Sequence, residues 1–328
     1  MNKRLKYTVM IFSATFFMMS CEKNEIEFNA TPNSNMAYVQ LHNQIPVPVG
    51  TDYNFFKVEL NGVDVSRNGG DPPVNVPLNQ WSALPSEGNG RGYATSTGKD
   101  TIKLYQGPNR VLKYNQAVDL QAGKQSLIFY DFNKLPLVIT EPDNYPIDRV
   151  SYYTDTIAYV RFFHLMRESA GVESNLKLQY QYQYTYNPIY TEEDLLANKI
   201  PAGSKLGDAV PAANRIKSPW INMGGPLSFG EDTGWQIVPI KKESWLTQGT
   251  ANVDFRIVVV QGGVVGVTMT AGDNLLICRT SRSATAVTAT GFTYRPSSPI
   301  GVGRRIYHLF SGYRDDIPGM MVAPYTQK

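Results

Sequence analysis

Short segments in which apolar and polar residues alternate recur along the chain and are separated by turn-forming residues. In the N-terminal half they lie at residues 37–41, 55–60, 101–105, 111–120 and 125–132. Alternation with a period of two is typical of β-strands that bury one face. Asn61-Gly62, directly after the second segment, is a strong hairpin signal. Together with 20 Tyr, 27 Gly and 21 Pro, the pattern predicts an all-β protein built from β-sandwiches.

The most regular alternation is the segment LKLQYQYQYTY at residues 176–186. Its leucines and tyrosines fall on one face, and its Lys, Gln and Thr residues fall on the other. In one interpretation the leucines enter the core, and the tyrosines cover it with hydroxyl groups at its wet rim. In the other, Tyr182, Tyr184 and Tyr186 form a flat ledge for sugar rings, or the strand is an edge that pairs with a partner.

The chain also repeats itself. Residues 158–164, AYVRFFH, match residues 37–43, AYVQLHN, and Ala-Tyr-Val is identical in both. Residues 303–310 parallel residues 123–130, and a proline follows each of them, at Pro318 and Pro136. A competing register, in which 271–272 and 276–277 lie over 122–123 and 127–128, does not align that proline.

Two copies of one module predict tandem domains rather than a solenoid. The first domain is expected at residues 37–150 and the second, larger one at residues 158–328, with a linker at 151–157. The second copy contains inserted loops and a short helix near residues 191–198, because Thr191 can cap a helix whose first turn is acidic. Residues 203–234 are otherwise typical of a loop.

These segments resemble a known family, the domain of unknown function 4397. The strand AYVRFFH carries the resemblance, together with a late strand that opens with Ala-Gly-Lys or Gly-Arg-Arg and ends in an aromatic residue. Modules of that family occur, often in tandem, in secreted bacterial proteins and Bacteroides-type lipoproteins. The resemblance covers most of residues 37–150 and 158–328. It implies two tandem immunoglobulin-like β-sandwiches, with no established activity and no catalytic residues.

Residues 1–20 have the order of a secretory signal peptide, with three basic residues near the start and an apolar run too short to span a membrane. Met18-Met19-Ser20-Cys21 resembles the lipobox of bacterial lipoproteins, which implies that the mature chain begins at an acylated Cys21. Residues 22–27 resemble the acidic tether that directs Bacteroides-type lipoproteins to the outer face of the outer membrane. Residues 21–36 are then the lipidated N-terminus and tether. The alternative is an ordinary signal peptide that happens to precede a cysteine.

Charge and cysteine content narrow the function classes. The net charge of +3 comes from the signal peptide, since its removal leaves 28 basic and 28 acidic residues. A neutral chain lacks the basic surface that nucleic-acid binding requires.

Only two cysteines exist. If Cys21 carries lipid, Cys278 has no disulfide partner, and its apolar surroundings predict an inert core thiol.

Candidate chemistry is sparse. The three histidines, His42, His164 and His308, are not spaced as metal ligands usually are, and we expect neither metal nor cofactor. His164 and Asn43 occupy equivalent strand ends, where a polar side chain can bond a loop backbone. Trp220, Trp235 and Trp245 lie in or beside the enlarged part of the second copy. They are candidates either for stacking on sugars or for plugging the end of a sandwich.

We therefore expect a non-catalytic cell-surface lipoprotein, held in the outer membrane by Cys21 and facing the cell exterior, that acts in binding or adhesion. Its partner is a glycan or a protein. One alternative is an accessory glycan-binding lipoprotein of a polysaccharide-uptake system. Another is an envelope hydrolase whose carboxylates meet only in the folded chain.

Overall fold

A computed structural model describes most of the chain beyond the N-terminal segment. The described residues are 35–48, 51–67, 74–85, 92–140, 157–247, 249–261, 264–267, 292–294, 300–314 and 321–327. The predicted signal peptide, Cys21 and Cys278 lie outside them. Asn35–Lys328 forms one compact unit. The fold is nearly all β, as predicted, and the strands form several packed sheets.

In the first region, residues 35–140, the strands form two sheets. The strands are β1 Met36–Asn43, β2 Phe55–Leu60, β3 Val63–Asp64, β4 Ala83–Leu84, β5 Tyr93–Ser96, β6 Gly98–Gln106, β7 Val111–Leu120, β8 Gly123–Phe129 and β9 Leu137–Thr140. One sheet has the order β4-β1-β8-β9, with β5 also paired to β1, and the other has the order β3-β2-β6-β7. Side chains from both sheets meet in one apolar core, which includes Val39, Leu127, Val58 and Leu104. This is a β-sandwich-like arrangement.

The described part of the second region, residues 157–327, has more strands, one short α-helix, and two 3-10 helices at Ala212–Asn214 and Lys242–Ser244. The strands and the α-helix are β10 Ile157–Ser169, β11 Val172–Glu173, β12 Lys177–Tyr186, α1 Glu192–Leu196, β13 Ile216–Lys217, β14 Ile221–Leu227, β15 Gln236–Pro239, β16 Trp245–Thr247, β17 Thr250–Ala251, β18 Val253–Gln261, β19 Val264–Val267, β20 Phe292–Tyr294, β21 Ile300–Gly301, β22 Arg305–Tyr313 and β23 Met321–Gln327. The main sheets are β11-β10-β22-β23, with β15 on β10, and β13-β12-β18-β19, with β14 on β12 and β20 on β18. A small sheet, β16-β17-β21, completes the region.

The two regions share one pairing scheme. Strand β1 runs parallel to β8 and antiparallel to β5, and β10 runs parallel to β22 and antiparallel to β15. Strands β2 and β12 are each followed directly by an asparagine with a left-handed backbone, Asn61 (φ 47°) and Asn187 (φ 46°). Within the described ranges, no strand of one region pairs with a strand of the other. The repeat seen in the sequence is therefore a repeat of strand pairing.

The pairing corrects the predicted alignment of the late strand by one residue. Tyr38 pairs with Lys124, whereas Tyr159 pairs with Arg305, so Lys124 corresponds to Arg305 rather than to Arg304. A slip of one residue exchanges the two faces of a strand. In the corrected register Ile128 corresponds to Leu309, and both are fully buried on the face away from their own sandwich core.

The structure confirms the predicted helix of the second region but contains strands in segments for which none was predicted. The short helix is confirmed, with Thr191 as its N-cap and a reciprocal capping box with Asp194. The expectation of loop structure throughout residues 203–234 was wrong, because β14 pairs there with β12. Its Gly224-Gly225-Pro226 sequence conceals the strand, but proline is tolerated on an edge strand. Strand β9 lies beyond the last alternating segment that the sequence analysis identified in the N-terminal half, and the structure does not describe residues 141–156.

The two regions pack against each other through a third apolar cluster, which we call the junction cluster. It contains Ala83, Ile128, Tyr130 and Ile139 from the first region and Phe163, Leu165, Tyr307 and Leu309 from the second. Polar contacts also cross it: Trp81 Nε1 donates to Ser311 Oγ (3.1 Å), the Tyr313 hydroxyl donates to the Pro46 carbonyl (2.7 Å), and Arg167 pairs with Asp131. This packing occupies outward surfaces of the β1 and β10 sheets.

Candidate functional site

The three tyrosines of the proposed sugar-binding ledge lie along β12 and belong to the core of the second region. Tyr182 is 7% exposed and Tyr184 is 1% exposed, and Tyr186 packs partly buried against the same core. Burial raises the pKa of both Tyr182 and Tyr184. An exposed ledge needs rings that a sugar can reach. The ledge hypothesis is therefore not compatible with the positions of these side chains.

The tyrosine face fills the core instead of only covering its rim. Tyr180 is fully buried, and its ring stacks on Phe162 at a centroid distance of 4.0 Å and on Phe255 at 5.4 Å. Its hydroxyl group is hydrogen-bonded to Nδ1 of His308. A buried hydroxyl group is tolerated when it is hydrogen-bonded. This contact explains how a tyrosine replaces an aliphatic residue at the centre of the sandwich.

Two of the three candidate tryptophans have packing roles. Trp235 packs against the junction cluster, with its ring 5.1 Å from that of Tyr307. Trp245 packs against the core of the second region. Both tryptophans therefore pack against apolar clusters, although Trp235 does so at the junction of the two regions rather than over the end of one sandwich. Their rings are part of the framework, so we exclude them from the candidate binding surface.

Trp220 lies elsewhere, on the outward face of the β12–β18 sheet. Because Tyr180 and Tyr182 point inward, the alternation of β12 places Gln181 on the opposite face. The strand register then brings Asn222 of β14 and Arg256 of β18 beside Gln181, one on each side. Trp220 directly precedes β14. We call these four residues, Trp220, Gln181, Asn222 and Arg256, the Trp220 patch.

The side chains of the Trp220 patch form a continuous hydrogen-bonded row. Arg256 Nε donates to Gln181 Oε1 at 2.6 Å, and Gln181 Nε2 donates to Asn222 Oδ1 at 2.6 Å. The guanidinium carbon of Arg256 lies 4.3 Å from the centroid of the Trp220 ring. This is the distance of a cation–π contact. The row thus holds a half-buried tryptophan beside a guanidinium group and a side-chain amide in a fixed arrangement.

Neighbouring contacts fix the strands on which the patch is built. Gln183 Nε2 donates to the carbonyl of Ser218 at 2.6 Å, which ties β12 to the segment before Trp220. Lys217 Nζ and Asp254 Oδ2 form an ion pair at 3.0 Å beside the row. These contacts position the backbone directly before Trp220, and the pairing of β14 with β12 positions the backbone after it.

Sequence reasoning identified Trp220 but missed its three partners. Gln181 was noted only as part of the polar face of β12, and Asn222 lay in the segment expected to be a loop. Arg256 is the one cation in VDFRIVVV, residues 253–260, a mainly apolar segment that also contains Asp254. A single arginine in such a strand is a signal that could have directed attention to this face.

The histidines are buried and have structural environments. Burial lowers the pKa of His42 and of His308 to about 3, and that of His164 to about 4. His164 Nε2 donates to the Leu176 carbonyl (3.2 Å), and the equivalent Asn43 accepts from the Ile45 N–H (3.2 Å). Both side chains therefore bond a following loop backbone, as the sequence analysis expected.

No group of three or more metal-binding side chains occurs within the ranges that the structure describes. In the same ranges, no helix has the length and apolar content needed to cross a bilayer. The chain matches no protein-family model. No curated protein is significantly similar to it in sequence. The resemblance to the domain of unknown function 4397 therefore stays a prediction.

Proposed function

We propose that this chain is a non-catalytic binding protein of the cell exterior, built from two tandem immunoglobulin-like sandwiches and held in the outer membrane by lipid on Cys21. The strand-pairing scheme common to both regions supports a duplicated module. The lipobox-like Met18-Met19-Ser20-Cys21 supports the anchor. Several acyl chains on one cysteine would hold the protein stably, since each buried methylene contributes about 0.8 kcal/mol.

The observation that carries the binding role is the Trp220 patch. It is built from three adjacent strands, and its polar groups are held by one another rather than by flexible loops. Ligand sites gain affinity when their side chains are ordered before the ligand arrives. An aromatic ring beside a few convergent polar groups is a common composition for such sites.

The same composition favours a glycan over a protein as the ligand. Tryptophan offers an apolar face, and its indole N–H, the Asn222 amide and the guanidinium group of Arg256 are hydrogen-bond donors. A sugar presents an apolar ring face together with oxygen acceptors around its edge. Binding of this kind fits the alternative role of an accessory glycan-binding lipoprotein in polysaccharide uptake.

The envelope-hydrolase alternative has less support. It would need two carboxylates that face each other across a cleft. In the described ranges, the partly buried Asp131 and Asp232 contact Arg167 and Arg161 instead. These ion pairs give the carboxylates structural roles.

Affinity electrophoresis through gels that contain a panel of polysaccharides tests the binding role. We expect wild-type protein to be retarded by at least one polysaccharide, and Trp220→Ala to weaken that binding by about tenfold or more. Tyr53→Ala is the matched control, because Tyr53 is an exposed aromatic residue (38%) of the other region. Equal retardation of wild type and Trp220→Ala would contradict the assignment of the patch.

Membrane fractionation tests the anchor separately. Cys21→Ala removes the thiol to which lipid would be attached, so we expect the protein to leave the membrane fraction. Fractionation identical to wild type would argue against lipid attachment at Cys21 without bearing on the Trp220 patch.

A further inference from the structure

The hydrogen-bonded row of the Trp220 patch has a definite direction. A guanidinium group can only donate hydrogen bonds, so the atom of Gln181 that faces Arg256 Nε must be the carbonyl oxygen. The amide nitrogen of Gln181 then faces Asn222 and requires an acceptor, which is Asn222 Oδ1. Arg256 thus fixes the orientation of both amides along the row.

This direction determines what the row offers to a ligand. The groups not used within it are Asn222 Nδ2, the terminal nitrogens of Arg256 and Trp220 Nε1. All of them are donors. Gln181, the member of the row that both donates and accepts, is only 6% exposed. The outward-facing ends of the patch therefore suit a ligand group that accepts several hydrogen bonds at once.

The patch also carries charge. Among the described residues Arg256 forms no ion pair, and the carboxylate two positions before it, Asp254, is paired with Lys217 at 3.0 Å. Burial lowers the pKa of Arg256, which reflects the loss of water around the guanidinium group. An anionic ligand would compensate this loss, and a guanidinium group binds a carboxylate through two parallel hydrogen bonds.

We propose that the Trp220 patch binds an acidic polysaccharide, with a uronate carboxylate on Arg256 and Asn222 and the sugar ring against Trp220. This inference rests on the proposed glycan-binding function and specifies the class of glycan. A neutral sugar would leave the charge of Arg256 without a counter-charge. An acidic peptide would satisfy Arg256 but would not supply the apolar ring face that suits tryptophan.

The test compares carboxylated polysaccharides with their neutral forms on the full chain. Polygalacturonate, alginate and hyaluronate are the acidic probes, their methyl esters are the matched neutral probes, and polyglutamate represents an acidic peptide. We expect wild type to bind at least one acidic polysaccharide about ten- to a hundredfold more tightly than its ester, because only the carboxylate can form charge-assisted hydrogen bonds with the guanidinium group. Polyglutamate should bind more weakly than that polysaccharide.

Two variants locate the effect. Arg256→Gln should abolish the preference for the acid over its ester. Asn222→Asp, at an exposed position, should weaken acid binding about tenfold by placing a negative charge beside the ligand carboxylate. Near-ultraviolet circular dichroism checks that both variants are folded, and Asn222→Asp provides the test alone if Arg256→Gln is not.

The outcomes separate this inference from the proposed function. Binding of neutral polysaccharides through Trp220, with no preference for acids, would overturn the inference and leave the glycan-binding function standing. Equal or tighter binding of polyglutamate would overturn the glycan class. Binding to none of the acidic probes would overturn the inference, and absence of binding to every polysaccharide would overturn both.

Discussion

The outward faces of equivalent strands differ between the two regions. In the first region, on β2 and β6, Glu59 forms an ion pair with Lys57 at 2.5 Å. Glu59 also accepts a hydrogen bond from the Tyr105 hydroxyl at 2.9 Å, and Lys57 lies over the Tyr105 ring. In the second region, on β12 and β18, the outward row ends in groups that only donate. On the face of the first region the charged side chains pair with one another. On the face of the second region Arg256 forms no ion pair with any residue that the structure describes. The shared strand-pairing scheme thus carries a self-contained surface in the first region and a candidate binding surface in the second.

The inward faces differ as well. The first core is mainly aliphatic, with Tyr114 and Phe129 in edge contact at 5.1 Å. The second contains a stack of aromatic rings centred on Tyr180. The longer β12 and the additional strand β14 accompany this larger core. The two regions therefore share a strand-pairing scheme but fill their sandwich cores with different side chains.

The strongest test of this comparison is to weaken the junction cluster. Leu309 is fully buried there, at the position that corresponds to Ile128 of the first region. Leu309→Ala should lower the free energy of unfolding by about 2–5 kcal/mol, since it leaves a cavity among packed side chains. We expect urea unfolding to change from one transition to two, one for each region.

Val138→Ala is the control for that experiment, because Val138 is 40% exposed on β9. It should leave a single transition close to that of wild type. A single transition at the wild-type midpoint for Leu309→Ala would show that Leu309 contributes neither to stability nor to coupling of the regions, and would contradict the role assigned to the junction cluster.

A second test uses the buried histidines, of which one lies in the first region and two in the second. Their pKa values are lowered from 6.5 to about 3 or 4. The unfolded chain therefore takes up protons below pH 6.5 that the folded chain does not. Stability is full above pH 6.5 and falls as the pH decreases toward 4. Each histidine should cost roughly 1 kcal/mol at about pH 5.5.

The measurement is the free energy of unfolding as a function of pH. His308→Gln should reduce its slope between pH 6.5 and 4.5 by about one third, whatever it does to stability at neutral pH. The slope is the diagnostic quantity, because a packing defect alone shifts the whole curve without changing its shape. An unchanged slope would contradict a neutral, buried His308.

The strands that sequence reasoning located best are those with local signals. Residues 55–60 and 111–120 coincide with β2 and β7, and Thr191 together with the acidic residues after it predicted the start of α1. Strand β14 was missed because pairing with β12, rather than its own Gly-Gly-Pro sequence, makes it a strand. Strands and helices with a local sequence pattern could be predicted, but a strand that forms only by pairing with a distant strand could not.

In the candidate site, too, residue types could be predicted from the sequence, but their positions relative to distant strands could not. Trp220 was recognisable as a candidate by residue type, but Trp235 and Trp245 had the same appearance and proved to be packing residues. Which tryptophan faces outward depends on the register of β12, β14 and β18, which no short segment encodes. Arg256 and Asn222 belong to the patch only because β18 and β14 lie on either side of Gln181.

The smallest expected effect concerns the self-contained face of the first region. Lys103 lies 3.8 Å from Glu59 at the edge of its ion-pair group, and its side chain is 34% exposed. Exposed ion pairs contribute about 0.2–1 kcal/mol, and salt screens them. Lys103→Ala should therefore lower the free energy of unfolding by less than about 1 kcal/mol and leave polysaccharide binding unchanged. Arg256→Gln removes one cation from the second region in the same way. In affinity electrophoresis, unlike Lys103→Ala, it should weaken the binding of the acidic polysaccharide. If Lys103→Ala weakened binding as much as Arg256→Gln, net charge rather than the Trp220 patch would govern recognition, and the contrast between the two faces would lose its functional meaning.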